Sequence, residues 1–245
     1  MARSEAARTA LLDAAERLFV QSGISHVSDR KVAEAAGNTN HSAVGYYFGG
    51  REGLLRALLT RHLSSLEEPR RVMFERSDSL LDDVRALVVP VTDALAELPQ
   101  PTWRARFVSQ AMHDPVTTGL LYDMAAEAPT ATLIIRSVVS RLGHLPREIV
   151  RGRATLMSHI VMSACADMEE RAARDGEPPQ WQAAGDFLCD SIAGMLTAPV
   201  SRRPGTSGES GGDEESLPQP DRDVPPAGRA ATRSAGPRRP PAARE

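Results

Sequence analysis

The chain has 245 residues, 41% of them hydrophobic, which is enough to fill the core of one large domain or two small ones. Its two cysteines, Cys165 and Cys189, lack the spacing of metal ligands and are too few for a disulfide framework. No apolar run reaches the roughly 18 residues of a membrane span, and the N-terminus lacks the apolar core of a signal peptide. We therefore expect a cytoplasmic protein with no membrane contact, metal or cofactor.

The net charge of −3 hides a local change of sign near the N-terminus. Residues 1–65 carry eight Arg or Lys against six Asp or Glu, and no acidic residue occurs between Ala35 and Arg51. The cations that flank this segment are Arg30, Lys31, Arg51, Arg56 and Arg61. A surface that faces nucleic-acid phosphates needs a local excess of positive charge, so this pattern permits DNA binding without requiring it.

Apolar residues recur at helical spacing almost throughout, and no segment alternates convincingly as a strand would, which predicts an all-α fold. The first predicted elements are helices over 4–22, 28–36 and 41–47, with a fourth that opens near Arg51. Ser28 is a good N-cap, and Gly23 and Gly37 are typical helix stops. The first three helices therefore predict a small N-terminal bundle.

Longer helices, punctuated by proline, follow the bundle. The last two, over 147–174 and 180–197, carry long apolar stripes that either fill the core of one chain or pair with the same helices of a second chain. The stripe residues proposed for such an interface are Ile149, Leu156, Ile160, Ala164, Met168, Trp181, Leu188, Ile192 and Met195. Residues 199–245 are rich in Pro and Gly and hold no aromatic residue, which predicts a disordered tail.

Two short helices joined by a tight polar turn are typical of a helix-turn-helix, whose second helix enters the DNA major groove. The outer face of that helix needs small or polar side chains that reach base edges, whereas Ala43, Val44 and Phe48 can anchor its inner face. Two tyrosine hydroxyls at its end and an arginine at the next helix start can bind phosphates. The predicted DNA-contacting residues are Ser28, Arg30, Thr39, Asn40, His41, Ser42, Gly45, Tyr46, Tyr47 and Arg51.

The ordered spacing of these residues resembles the TetR family of bacterial regulators over about residues 8–60. The matching residues are Ala14-Ala15-Glu16-Arg17-Leu18-Phe19, Gly23, Ser28, Val32-Ala33-Glu34-Ala35-Ala36-Gly37, Val44, Tyr46-Tyr47-Phe48 and Arg51-Glu52-Gly53-Leu54-Leu55. Two departures stand out. One residue more than in the common pattern lies between Gly37 and Phe48, and Gly45 and Arg51 stand where the family often has tyrosine and lysine.

The resemblance implies a two-domain homodimer. Residues 1–50, with the first turns of helix four to about residue 65, would form the DNA-binding domain, and 51–198 would form a domain for inducer binding and dimerisation. Two-fold symmetry would then require a palindromic double-stranded operator. The middle helices would enclose the inducer, although their larger side chains can equally be plain core. The candidate pocket residues are Trp103, Phe107, Met112, His113, Tyr122 and His159.

Two other functions stay open. A small helical enzyme or ligand-binding protein without DNA binding is one alternative, but the chain has no Gly-rich phosphate loop, HExxH, GxSxG or cluster of Cys and His ligands. A helix-turn-helix used only for protein contacts is the other, and the acid-free segment argues against it. Within the regulator hypothesis, the resemblance favours a repressor, while the residues themselves fit an activator equally well.

Overall fold

Helices account for the regular structure of residues 2–124 and 128–201, which are the residues that the computed structural model describes. In chain order these are α1 (Ala2–Ser22), α2 (Asp29–Ala35), α3 (Ala43–Phe48), α4 (Arg51–Phe74), α5 (Leu80–Ala96), α6 (Arg104–His113), α7 (Pro115–Asp123), α8 (Pro129–Arg141), α9 (Arg147–Asp175) and α10 (Trp181–Thr197). A short 3-10 turn, Ile24–His26, follows α1. Within the described residues there is no strand, so the predicted all-α fold class is confirmed.

The N-terminal helices begin and end close to their predicted positions. The Ser28 hydroxyl caps α2 by accepting a hydrogen bond of 3.3 Å from the Lys31 amide, as expected of a helix N-cap. The chain turns out of α1 at Gly23, whose φ of 86° is a left-handed conformation that favours glycine. The third helix differs from the prediction: it begins at Ala43 rather than 41, because Thr39 to Ser42 form the preceding turn.

Two hydrophobic cores hold the described helices together. The first is formed by α1, α2, α3 and α4 and is closed from the other side by α6 and α7. Phe107 of α6 and Met124, the residue that follows α7, are fully buried in it. The second is built by α5, α8, α9 and α10, with Trp181 and Ile192 of α10 at its centre. The helices that follow the bundle therefore complete its core as well as forming one of their own.

Two further observations concern the remaining predictions. None of the helices in the described part of the chain is long and apolar enough to cross a membrane. The segment predicted to be a disordered tail lies outside the described residues from residue 202 onward.

Candidate nucleic-acid interface

The short helix α3 has one buried face and one exposed face. Ala43 and Val44 are almost completely buried against α1, α2 and α4 and hold the helix in place. Ser42, Gly45 and Tyr46 lie on the opposite side and are exposed, with 78% of the Tyr46 surface open to solvent. The polar and small side chains predicted to reach base edges are therefore on the outside, where a duplex can approach them.

The turn before α3 is held by its own asparagines. The Asn38 side-chain oxygen accepts a hydrogen bond from the Asn40 amide, and the Asn40 side-chain oxygen accepts one from the Ser42 amide, both at 3.0 Å. Asn40 thus helps to fix the direction in which α3 leaves the turn, as asparagine does in Asx turns. Thr39 and His41 are exposed at the tip of this turn.

Glu34 is an acidic residue beside this surface, and two cationic or titratable neighbours face it. Arg30 Nε donates a 2.8 Å hydrogen bond to its carboxylate, and His41 Nδ1 lies 3.5 Å from the same oxygen. The hydrogen bond from Arg30 lowers the pKa of Glu34, which therefore stays ionised. Part of the charge of Arg30 is consequently engaged within the protein, whereas Lys31 next to it is exposed.

Arg51 points into the bundle, which the sequence pattern did not predict. Its guanidinium donates to the Ile24 carbonyl, lies 3.5 Å from Asp29 Oδ1 and stacks over the Phe19 ring at 4.3 Å. Burial lowers the pKa of Arg51, an effect that Asp29 opposes, but an arginine remains charged at neutral pH. The side chain ties the start of α4 to α1 and α2, so its phosphate contact stays a prediction.

The two neighbouring tyrosines have different surroundings. Tyr47 is half-buried and packs against the first core, whereas the Tyr46 ring stands outside it, edge-on to Tyr47 at a centroid distance of 4.9 Å. Tyr46 is therefore the more accessible of the two tyrosines predicted to contact phosphates.

Arg61, one of the cations that flank the acid-free segment, forms salt bridges within the protein. It binds Asp13 at 2.6 Å and also binds Glu16.

The residues predicted to line an inducer pocket are scattered. Phe107 is fully buried between Phe19 and His62, at centroid distances of 6.0 and 5.8 Å, so it belongs to the first core. Trp103 stacks on Arg106 at 4.6 Å, beside an open cleft. The other predicted pocket residues are Met112, which is half-buried, His113 and His159, whose ring centroids are 5.3 Å apart, and Tyr122, whose side chain lies outside the described structure.

An apolar cavity lies elsewhere, between α4, α5, α6, α7 and α9. It has a volume of about 110 Å³, and its walls are mainly leucine, valine and methionine. Its lining residues are Leu59, His62, Leu63, Leu66, Arg70, Val91, Ala94, Leu95, Arg104, Ala105, Val108, Leu121 and Met162. A signal for it is present in the sequence, because His62, Leu66 and Arg70 recur every four residues and put two polar side chains on an apolar helix face.

A buried polar cluster joins this cavity to α1. His62 Nε2 lies 3.1 Å from Glu16 Oε1, and Arg61 also binds the Glu16 carboxylate. Burial lowers the pKa of His62, although Glu16 opposes the shift, so the imidazole is neutral at pH 7. Burial would raise the pKa of Glu16, but His62, Arg61 and Arg104 lower it overall, so the carboxylate is charged.

The predicted interface residues of the last two helices divide into two groups. Trp181, Leu188 and Ile192 are buried in the chain's own second core, because the apolar stripe of α10 packs along α5, and they are therefore not open to a second chain. Leu156 on α9 is 49% exposed. The half-buried members of the set are Ile149, Ile160, Ala164, Met168 and Met195. The helical pattern missed Phe187, which is 69% exposed on α10.

This arrangement, a capped short helix, an asparagine-held turn and a second helix with an exposed polar face, defines a helix-turn-helix protein of all-α fold. Residues 11–58 match the model of the bacterial regulatory proteins of the tetR family. This match covers α2, α3 and parts of α1 and α4, and the helical fold is like that of TetR-family transcription regulators.

Solved structures of the same fold cover most of the chain. A TetR family transcription regulator from Marinobacter aquaeolei is 16% identical, with a TM-score of 0.57 over 79% of this chain and 96% of that one. The fatty acid degradation regulator FadR from Bacillus halodurans is 15% identical, with a TM-score of 0.51 over 79% and 97% of the two chains. The ketosteroid transcriptional regulator KstR2 of Mycobacterium tuberculosis is 15% identical, with a TM-score of 0.51 over 76% and 93%. No curated protein matches by sequence.

Proposed function

We propose that this protein is a ligand-responsive transcriptional repressor, without enzymatic activity, that binds a palindromic operator as a homodimer in the bacterial cytoplasm. The observation that carries the proposal is the exposed face of α3, where Ser42, Gly45 and Tyr46 face solvent while Ala43 and Val44 anchor the helix. Insertion into a major groove requires a helix that is fixed by its buried face and exposed to solvent on the opposite face.

The contacts with DNA divide into two kinds under this proposal. Ser42, Thr39 and His41 would meet base edges, while Tyr46 and the exposed Lys31 would bind phosphates. Asn40 would act mainly by directing α3, since its side-chain oxygen is already engaged by the Ser42 amide. Base contacts give sequence preference, and phosphate contacts give affinity for any duplex.

The homodimer is supported by apolar side chains that one chain leaves exposed on its last helices. Leu133 and Val139 of α8, Leu156 of α9 and Phe187 of α10 are each at least two-fifths open to solvent. A homodimer that binds two successive major grooves would need its two α3 helices about one DNA turn, roughly 34 Å, apart. An operator for such a dimer has two half-sites of opposite orientation.

The ligand response is supported by the cavity between α4 and α9 and by its link to α1 through His62 and Glu16. Two solved structures of this fold carry names that refer to fatty acid degradation and to ketosteroids. The dimer would have two states, and in one of them the two α3 helices would not match two successive grooves. A ligand that binds this state more tightly would weaken operator binding in proportion to its difference in affinity for the two states.

The first test is a fluorescence-anisotropy titration with the intergenic DNA beside the protein's own gene. Affinity should fall by about a thousandfold between 50 and 200 mM salt, given about six phosphate contacts. Tyr46→Ala should weaken binding to operator and scrambled DNA alike, whereas Ser42→Ala should change the preference among operator variants. Gln182→Ala, an exposed change on α10, is the matched control and should bind as the parent chain does.

A second measurement addresses the homodimer. Light scattering should report twice the mass of one chain, and Phe187→Asp should shift the equilibrium towards monomer because it places a charge in an apolar contact. Equal affinity for operator and scrambled DNA, unaffected by Tyr46→Ala and Ser42→Ala, contradicts the regulator. A parent chain that stays monomeric at high concentration contradicts the two half-sites.

A further inference from the structure

The cavity between α4, α5, α6, α7 and α9 combines apolar walls with unpaired positive charge. Arg70 is only 8% exposed, and its Nε has no hydrogen-bond partner among the described residues. Its Nη2 lies 3.5 Å from the Leu87 carbonyl oxygen, at the limit of hydrogen-bond length. A buried guanidinium with so little compensation is costly, because its charge has lost water without gaining an anion.

No carboxylate of the described residues forms a close ion pair with Arg70. Glu67 acts on it electrostatically from one turn earlier on α4, but forms no ion pair with it, and the Glu67 carboxylate accepts a 2.9 Å hydrogen bond from the Thr130 amide instead. The cavity lining contains Arg70, Arg104 and the neutral His62, and no acidic side chain. The two arginines of the site therefore lack an ion-pair partner among the described residues, although Glu67 partly offsets the charge of Arg70.

Arg104 is the second cation of the cavity. Its Nε is buried and lacks a hydrogen-bond partner among the described residues, and it makes no ion pair there, although Glu16 and Glu169 act on it at longer range. Arg104 lines both this cavity and the open cleft beside Trp103 and Glu16. Its side chain thus lies between the cavity and the surface, where a ligand would enter.

We propose that this cavity binds a small apolar carboxylate, about the size of one aromatic ring, with its charged group paired with Arg70 and Arg104; the proposal rests on the ligand response proposed above. The apolar walls exclude a fully hydrated anion such as inorganic phosphate, and the two arginines select against a neutral ligand of the same shape. A volume of about 110 Å³ is below the roughly 150 Å³ in which buried apolar cavities hold benzene, so the walls must open slightly.

The same cavity is connected to the DNA-binding helices. His62 lines it and contacts Glu16 of α1, and the charge of Glu16 acts on Arg104. A carboxylate that pairs with Arg104 replaces part of this attraction to Glu16. Ligand binding is thereby coupled to the packing of α1 against α4 and α6, in the bundle that positions α3.

The test is calorimetric titration of the full chain with sodium benzoate and with benzyl alcohol, a neutral compound of similar shape. Benzoate should bind at least about tenfold more tightly, as expected for a desolvated charge-assisted pair, and inorganic phosphate should give no signal. Arg70→Met and Arg104→Met keep the length of the side chain and remove its charge. Each should reduce the preference for benzoate to about threefold or less.

Stability separates a ligand-binding arginine from a structural one. Without ligand, Arg70→Met should unfold at the same or a higher urea concentration than the parent chain, because an unpaired buried charge has been removed. Lower stability of Arg70→Met, equal binding of benzoate and benzyl alcohol, no binding of benzoate, or a benzoate preference that survives both substitutions would each overturn the proposal. The operator titration is run without benzoate and is therefore an independent test. Loss of operator binding alone contradicts the proposed regulator, and loss of benzoate binding alone contradicts the proposed ligand class.

Discussion

The carboxylate oxygen Oε1 of Glu16 lies 3.1 Å from Nε2 of His62, and this contact joins the first helix of the DNA-binding bundle to the wall of the cavity. Both residues are more than nine-tenths buried. Arg61, which directly precedes His62 on α4, forms a salt bridge with the same carboxylate. The pair therefore connects the two sites that the proposed regulation has to couple.

The unfolding free energy should decrease as the pH falls from 7.5 to 5.5. Burial lowers the pKa of His62 in the folded chain, so the unfolded chain takes up the proton first, below about pH 6.5. Glu16, whose folded pKa is also lowered, adds a further loss below about pH 4.5. Urea unfolding at several pH values measures this slope, and His62→Gln should flatten it between pH 7 and 5.5. A stability that rises on acidification would contradict a neutral His62.

Gly53→Ala should destabilise the N-terminal bundle by about 1–3 kcal/mol and weaken DNA binding. A Cβ at this position would stand 1.7 Å from the Phe48 carbonyl oxygen, so α3 or α4 would have to shift. Gly152→Ala is the matched control, since its Cβ meets nothing within 4 Å, and it should stabilise α9 by up to about 1 kcal/mol. Chemical unfolding of both variants provides the comparison. Equal effects would mean that α3 adjusts freely.

Glu169→Gln should lower stability by about 2–3 kcal/mol. The buried Glu169 carboxylate accepts hydrogen bonds from the Ala105 and Arg106 amides at 3.2 and 3.0 Å, and from Arg106 Nε at 3.1 Å. It thus caps the N-terminus of α6 from α9, where a negative charge is favourable. Its exposed neighbour Glu170 provides the control, because Glu170→Gln should change stability by less than about 0.5 kcal/mol. Similar losses in the two variants would contradict the capping role.

Both cysteines should be inert towards thiol reagents in the folded chain at pH 7. Burial raises the pKa of Cys165 to about 12 and that of Cys189 to about 11, so the reactive thiolate is scarce at either site. Absorbance with a disulfide reagent should show two thiols in urea and none within minutes in buffer. Fast reaction of either cysteine without denaturant would contradict its burial and would call for Cys→Ser variants to locate the exposed site.

The DNA-binding half could be predicted closely, because its signals are local. Ser28 caps α2 through its own hydroxyl, and Gly23 follows the last residue of α1. The apolar Val44 marks the buried face of α3, and the small Gly45 marks its exposed face. The predicted start of α3 differs from the observed one by two residues, because Asn40 can either begin a helix or close a turn. The Asn40 amide donates to the Asn38 side-chain oxygen and the Ser42 amide donates to the Asn40 side-chain oxygen, and these two hydrogen bonds favour the turn.

The residues around the cavity could not be predicted in the same way. Phe107 and Met112 are large apolar residues of the middle helices, which makes them candidates for a pocket from sequence. Whether such a side chain fills a core or lines a cavity depends on what faces it from other helices. Phe107 meets Phe19, which lies far away in sequence. The inward orientation of Arg51 could not be predicted for the same reason. Its guanidinium contacts Ile24 and Asp29 only because α1, α2 and α4 pack together.

The sequence by itself determined the helical fold, the caps and turns of the N-terminal bundle, and the polar outer face of the helix that is proposed to read DNA. Each of these follows from hydrogen bonds and apolar spacing within a few residues. Only the tertiary structure decided which cations are engaged within the protein, which apolar residues of α10 are internal, and where two arginines meet an apolar cavity. Those outcomes depend on distances between helices remote in the chain, and no local pattern encodes such distances.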